Sequence, residues 1–225
     1  MLSFVIPAMN ECNGIKRVIS DIKAKAAALD YEIVVIDTNS TDGTPEAARE
    51  LGAVVIDEPR RGYGRAYKTG FSEAKGDIII TLDADGTYPL DSISEAVRIL
   101  QANEADFITC NRFGGQETAM KLSHRFGNYV LSFFTRALFG IRISDSQSGM
   151  WIFKKNILPK LNLIADGMAF SEEIKIEAFS KVKSVEIPTN YMSRIGEVKL
   201  RGFSDGFENL KFLFKKRFSN IPRAQ

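Results

Sequence analysis

The sequence predicts an α/β protein built on a Rossmann-like, mostly parallel, doubly wound sheet with a C-terminal amphipathic helical region. Two observations carry this: short β-branched runs alternate with helix-patterned stretches, and a polar cluster follows several of the runs. The first run, Leu2–Ile6, leads into Gly14–Ala28, where Ile15, Val18, Ile19 and Ile22 recur at helical spacing. Glu32–Ile36 is the second run, followed by a short helical stretch at Pro45–Leu51. Ala53–Ile56 and Gly64–Ala74 form the third pair, Ile78–Leu82 and Ser92–Ala102 the fourth, and Phe107–Cys110 a fifth strand. In sheets of this kind ligands bind beyond the carboxyl ends of the strands, near the switch in strand order. Pro7 to Glu11 follows the first strand, Asp37 to Gly43 the second and Asp83-Ala84-Asp85 the fourth, so three polar clusters are expected to converge on one rim.

A chain of 225 residues suits one well-buried domain, and its 44% hydrophobic and 26% charged composition excludes a disordered or low-complexity protein. Two cysteines, Cys12 and Cys110, are too few for a disulfide framework, and no secretory pattern opens the sequence, so a reducing, cytoplasmic setting is expected. With 30 basic against 28 acidic residues, nucleic acid is not an expected partner. The distribution of charge is more informative. Residues 118–144 contain Lys121, Arg125, Arg136, Arg142 and His124 and no acid, and residues 199–225 hold seven basic against two acidic side chains, a net +5 on a remainder of −3.

Tyr129–Ile141, inside the first basic segment, is strongly apolar yet too short and too basic to span a bilayer. Phe203, Phe207, Leu210 and Phe214 add a second apolar stripe beside Lys211 and Lys215. Such segments suit a helix lying along the cytoplasmic face of a membrane, and equally packing on the domain or at a homodimer interface. The expected division is a catalytic domain over 1–202, with 118–144 facing acceptor and membrane, and a basic amphipathic helix and tail over 203–225.

The Asp83-Ala84-Asp85 motif carries the chemistry. Hard oxygen ligands one residue apart at the end of a buried strand suit Mg²⁺ or Mn²⁺, which shares its remaining positions with water and substrate phosphate. The alternative for an isolated D-x-D is two solvated acids in a strand-to-helix turn.

The chain resembles the family 2 glycosyltransferases of GT-A fold, and within them the polyprenyl-phosphate branch that includes dolichyl-phosphate mannose and glucose synthases. The likeness runs from Leu2 to about Leu213 and rests on the joint order of its pieces. These are Pro7-Ala8-x-Asn10-Glu11, Asp37-x-x-Ser40-x-Asp42-Gly43-Thr44, Gly62-Tyr63-Gly64, Asp83-Ala84-Asp85-Gly86, Asn111-Arg112, Asp145 to Met150, Phe170-Ser171-Glu172 and Arg194-x-Gly196-Glu197-x-Lys199.

The resemblance implies an inverting, metal-dependent transfer of a hexose-type sugar from a UDP- or GDP-sugar to a polyprenyl (dolichyl) phosphate, with membrane attachment direct or through a partner subunit. Pro7, Asn10, Glu11, Asp37, Asp83 and Ala84 would line the nucleotide-sugar pocket. Asp85 would ligate the metal directly, with Asp83 touching ribose or a metal-bound water. Arg112 and Arg125 match acceptor-phosphate arginines, Glu172 the sugar-orienting acid, and Arg194 and Lys199 catalytic cations; Arg65 and Lys68 are further candidates for the diphosphate. A phosphate monoester is largely dianionic at neutral pH, so no strong base is required of the protein.

On the residues alone, Asn10 also reads as a helix cap, Ser40 and Asp42 as turn and cap chemistry, Glu173 as a helix surface charge, His124 as packing or surface solvation, and Trp151 as core. Where relatives carry a second acid beside Asp37 or an amide near the aspartate pair, this chain has Thr38 and Thr87. Two rivals remain. Ile78 to Thr87 also matches the signature of haloacid-dehalogenase-like phosphohydrolases, in which Asp83 would be the nucleophile; a family 2 transferase with a soluble or polysaccharide acceptor is the other. The missing Q-x-x-R-W segment argues against a processive polysaccharide synthase.

Overall fold

The computed structural model describes residues 1–116, 119–196 and 202–218. Its centre is a seven-stranded sheet made of β1 (Leu2–Ala8), β2 (Tyr31–Asp37), β3 (Val54–Asp57), β4 (Ile78–Thr81), β5 (Phe107–Asn111), β6 (Trp151–Lys154) and β7 (Ser184–Pro188), in the order β3-β2-β1-β4-β6-β5-β7. The five expected strands and the four helices α1 (Cys12–Lys25), α2 (Thr44–Glu50), α3 (Tyr63–Glu73) and α4 (Ile93–Gln101) are all present. Strands β1 to β4 are mutually parallel, as expected, whereas β6 runs antiparallel between β4 and β5, and β7 pairs parallel to β5 at the edge. The sequence reading identified neither β7 nor the wedging of β6 into the sheet.

Both faces of the sheet are covered, which is why its central strands read as continuous apolar runs rather than as alternation. Side-chain period two sends Phe4, Ile6, Ile33, Val35, Ile80 and Ile108 to a core shared with α1, α2 and α4. Val5, Val34, Ile36, Ile79 and Phe107 go to the opposite core, with Tyr67 and Phe71 of α3 and with Phe170 and Ile174 of α6 (Phe170–Lys181). Trp151 lies wholly inside that second core, as expected, and its indole N–H donates to the Ser148 carbonyl at 2.9 Å.

The third layer comprises α5 (Leu122–Phe139), α6 and α7 (Gly202–Phe218). Leu131, Ile143, Ile176 and Leu213 make a small core among them, and Phe134 packs against Phe214 at 5.9 Å between ring centroids. Lys216, near the end of α7, reaches Glu173 and Glu177 of α6, each at 2.9 Å. Glu173 therefore corrects the surface-charge expectation: it is fully buried, and one carboxylate oxygen also accepts from the Ile164 and Ala165 amides. Its partners lie far away in sequence or on a loop, beyond what helical spacing reveals.

The chain reverses direction across the sheet between β1 and β4, so their carboxyl ends form the switch point. Gly14 brings α1 against this point, since a Cβ there would collide with the Ala84 carbonyl oxygen. Replacing Gly14 by Ala is therefore expected to destabilise the fold by about 1–3 kcal/mol, the usual range for an overpacked site, measured by urea denaturation. An unchanged midpoint would mean that the helix and the aspartate turn separate without cost.

Candidate active site

Register brings the three polar clusters together. Asp37 stands opposite Ala8 and Thr81 opposite Val5, so the residues that follow β1, β2 and β4 leave the sheet on one rim. The loops are knitted by side chains. Asn10, in the left-handed region at φ 52°, accepts from the Thr41 amide at 2.7 Å, and its own amide donates to Ser40 Oγ at 2.8 Å. Asp42 accepts from Thr44 and from the Cys12 amide, which bears out the structural reading of Ser40 and Asp42. Glu11, rather than Asn10, is the cap residue of α1, and it is Asp42 from the neighbouring loop that accepts from the first amide of that helix. Pro7 lies in β1 itself, and Ala84 is buried between the two aspartates.

Asp83 and Asp85 differ in their surroundings. Asp83 accepts from the Tyr63 hydroxyl at 3.2 Å, and burial together with the neighbouring Asp85 charge pushes its carboxyl up to about 7. Gly149 makes this close arrangement possible, because a Cβ there would lie 2.5 Å from Tyr63 Oη and 3.1 Å from Asp83 Oδ2. Asp85 is buried and uses one oxygen on the Thr87 amide and hydroxyl, at 3.0 and 2.7 Å. Its other oxygen accepts from Arg194 Nη1 at 2.9 Å, and Arg194 Nη2 pairs with Glu11.

Arg194 thus ties the turn after β4 to the turn after β1. It rides on a strap, residues 191–196, that is hydrogen-bonded along the aspartate turn through Met192 to the Thr87 carbonyl and Ile195 to the Asp85 carbonyl, both at 2.9 Å. Two buried polar atoms on this rim have no partner among the described residues: Asp37 Oδ1 and Arg194 Nε. An acceptor and a donor left open in this way mark a place shaped for a polar ligand. Lys199 and Glu197 lie outside the described residues.

The donor set fits a divalent cation. Two hard carboxylates stand one residue apart after β4, Asp85 buried and Asp83 half-buried, and burial together with the Asp85 charge disfavours ionisation of Asp83, a cost that a bound cation would offset. Among the described residues no third acid, histidine or cysteine joins them, so the remaining ligands would have to be water and substrate phosphate.

Below this rim, loop 145–149 and the first turn of α6 form a buried polar floor. Asp145 grips Arg112 through its Nε and Nη2 at 2.7 and 2.8 Å, while the Arg112 guanidinium lies 5.3 Å from the Tyr191 ring centre. Burial works against the charge on Asp145, yet Arg112 beside it holds the carboxyl below its usual range. Lys175, fully buried, donates to the carbonyls of Asp145 and Ser146, and burial pulls its ammonium down to about 7. Glu172 is fully buried as well; Gln147 Nε2 donates to its Oε2 at 2.9 Å, and its Oε1 has no partner among the described residues. Burial pushes Glu172 up to about 8.

Several expectations fall elsewhere. Arg65 and Lys68 both pair with Asp166. His124 is exposed, in keeping with surface solvation, and Arg125 is exposed on α5 with its guanidinium 5.9 Å from the Phe113 ring centre. The structure therefore brings Glu11, Asp37, Asp83, Asp85 and Arg194 to one rim, sets Arg112 and Glu172 in the floor, and leaves Arg125 on an outer helix. Tyr63 and Lys175 were missed by sequence reasoning. A lysine amid glutamates on a helix whose apolar residues cover no single face was the available signal for Lys175, whereas Tyr63 stood only within the Gly62-Tyr63-Gly64 motif, with no role given to it.

On the outside, α5 presents Leu122, Phe126, Tyr129 and Phe133 in one exposed stripe, and α7 exposes Phe207, Phe214 and Phe218. Among the described residues no helix is long and apolar enough to cross a membrane.

Comparison with known proteins agrees with this geometry. The family model "Glycosyl transferase family 2" matches residues 3–161. The low-salt glycan biosynthesis hexosyltransferase Agl6 of Haloferax volcanii is 34% identical over 94% of this chain, which spans 52% of that protein's length. A dolichyl-phosphate hexose transferase of the same organism is 30% identical over 91% of this chain and 89% of its own. The dolichol-phosphate mannosyltransferase of Pyrococcus furiosus is 31% identical, with 95% of this chain and 63% of its own covered. In fold, glucosyl-3-phosphoglycerate synthase from Mycobacterium tuberculosis, solved with Mn²⁺, UDP-glucose and phosphoglyceric acid, superposes with a TM-score of 0.76 at 21% identity over 99% of this chain and 80% of its own. The family match sets aside the phosphohydrolase reading of Asp83.

The state of Glu172 has a measurable consequence. A carboxyl at about 8 in the fold and near its ordinary value of 4.5 when unfolded takes up a proton on folding between those limits, so its contribution to stability declines as pH rises from about 4.5 to 8. Glu172→Gln is therefore expected to gain in melting temperature relative to wild type across that window and to hold the gain above it, measured by calorimetry. A difference independent of pH would show that Glu172 is not held protonated.

Proposed function

The chain belongs to glycosyl transferase family 2, and from that premise we propose that it is an inverting hexosyltransferase that moves a sugar from a UDP- or GDP-sugar to a polyprenyl phosphate at a membrane surface. The observation that carries this reading is the rim on which Asp83, Asp85, Glu11, Arg194 and the open oxygen of Asp37 meet. Asp37 Oδ1 would accept from the base or ribose, with Pro7, Asn10 and Ala84 shaping the same pocket. Asp85 and Asp83 would hold Mg²⁺ or Mn²⁺, which when bound neutralises charge growing on the departing nucleotide diphosphate. Arg194, paired with Asp85, would meet the same phosphates, and Lys199 is proposed as a further cation for them from the sequence alone.

Transfer requires an acceptor oxygen aligned behind the anomeric carbon, opposite the bond to the nucleotide diphosphate; that bond breaks as the new one forms, and the configuration inverts. A phosphate dianion is nucleophile enough, so alignment by cations replaces base catalysis. Arg112 is rigidly held by Asp145, which suits orientation, and Arg125 on α5 would meet the lipid phosphate as it arrives. Glu172, with Oε1 open, would bind sugar hydroxyls from the floor.

The relatives named for dolichyl-phosphate chemistry favour the lipid acceptor, and so does the outer surface. The apolar stripes of α5 and α7 lie beside Lys121, Arg125, Lys211 and Lys215, a layout suited to anionic headgroups over an apolar layer. The protein would thus sit peripherally on the cytoplasmic face, alone, as a homodimer or beside a membrane subunit.

Two experiments test this. A panel of UDP- and GDP-sugars with Mn²⁺ or Mg²⁺ is expected to release nucleoside diphosphate only when dispersed polyprenyl phosphate is present. Asp85→Ala should lower that rate by about 100-fold or more, the effect of losing several kcal/mol of charge stabilisation; turnover indifferent to lipid would refute the acceptor. In flotation with anionic liposomes, wild type should co-float at low salt, and Phe126→Ser/Phe133→Ser should stay behind. Equal flotation of both would place membrane contact elsewhere.

A further inference from the structure

The floor of the pocket contains a residue supplied by the outermost helix. Asn209 is buried on the inner side of α7, and its Nδ2 donates to Gln147 Oε1 at 2.9 Å. The Gln147 amide then has one available orientation: with its oxygen occupied by Asn209, its nitrogen faces Glu172 Oε2 and Ser146 Oγ, each at 2.9 Å. Glu172 in turn is left with Oε1 open in a fully buried position. The chain of contacts runs Asn209 to Gln147 to Glu172, from the third layer into the floor below the aspartate pair.

We propose that Asn209 is a positioning residue of the sugar pocket: acting from α7, it fixes the Gln147 amide and thereby the carboxyl group of Glu172. The proposal rests on the sugar-orienting role given to Glu172 above. Without the Asn209 donor, the oxygen of Gln147 is left unpaired and its amide is held only through the nitrogen, so a flip that takes the donor away from Glu172 Oε2 is no longer opposed from α7. The helix that carries Asn209 also exposes Phe207 and Phe214 and is anchored by Lys216 on Glu173 and Glu177. One helix therefore presents an apolar outer face and completes the pocket from its inner face, so the seating of α7 on α6 sets how well the sugar is held.

The test uses the full chain with Mn²⁺, dispersed dolichyl phosphate and UDP-glucose or GDP-mannose as donor, with nucleoside diphosphate affinity measured separately by calorimetry. Asn209→Ala is expected to lower kcat about tenfold, consistent with loss of one positioning hydrogen bond, while the affinity for UDP or GDP stays within about twofold because the rim is untouched. Asn209→Asp keeps the size but turns an acceptor toward Gln147 Oε1, and it should lose at least as much; it carries the test if Asn209→Ala folds poorly. Adding Asn209→Ala to Gln147→Ala should cost nothing further, since both cut the same connection. Glu208→Ala, exposed beside Asn209, should leave kcat unchanged.

Wild-type kcat in both Asn209 variants, with Glu172→Gln impaired, would overturn the positioning role and leave the Glu172 reading standing. Wild-type kcat in Glu172→Gln would sink the reading beneath it. A fall in melting temperature alone, with kcat intact, would reduce Asn209 to a packing residue and also count against the proposal.

Discussion

Two carboxylates set close together at the switch point of the sheet are the constraint around which the rest of the site is arranged. Asp83 and Asp85 repel one another in a place where water screens them poorly, and a protein keeps such a pair only where other groups hold it. Each neighbour answers part of that cost. Tyr63 and the Cβ-free Gly149 accommodate Asp83; Thr87 and Arg194 satisfy Asp85; and Arg194, by also pairing with Glu11, ties the ends of β1 and β4 together. The rim thus gathers the carboxylates of Glu11, Asp83 and Asp85, with Arg194 on its strap pairing two of them.

The second layer of organisation is the buried charge in α6. Glu172, Glu173 and Lys175 are all wholly buried, and each has a separate reason to be there. Glu173 and Lys216 lock α7 to α6; Lys175 holds the carbonyls of the loop that carries Gln147; Glu172 is left with one oxygen open. Buried pairs of this kind are weak sources of net stability but costly to break on one side only, so they act as devices that fix geometry. Through them the apolar outer helices and the pocket floor are parts of one structure.

Much of this was legible in the amino-acid sequence because it depends on local pattern. Apolar runs, helical spacing and the residues after each run located β1 to β5, α1 to α4 and the rim. The rest depends on contacts between distant segments. The antiparallel insertion of β6 follows a long excursion from Asn111 to Trp151, and period-two alternation gives no strand direction. Glu173 reads as a surface charge because its partner Lys216 is a whole helix away, and Arg65 and Lys68 read as phosphate ligands because nothing near them points to Asp166. The open atoms Asp37 Oδ1, Glu172 Oε1 and Arg194 Nε are visible only once every other hydrogen bond is known.

In the proposed function the aspartate rim is a joint site for a divalent cation and a nucleoside diphosphate. Electron paramagnetic resonance of free Mn²⁺ tests it directly, because binding removes the aqueous signal. Weak Mn²⁺ binding by the protein alone, strong binding when UDP or GDP is added, and loss of that gain in Asp85→Ala are expected. Mn²⁺ binding that ignores both nucleotides, or survives the substitution unchanged, would contradict it.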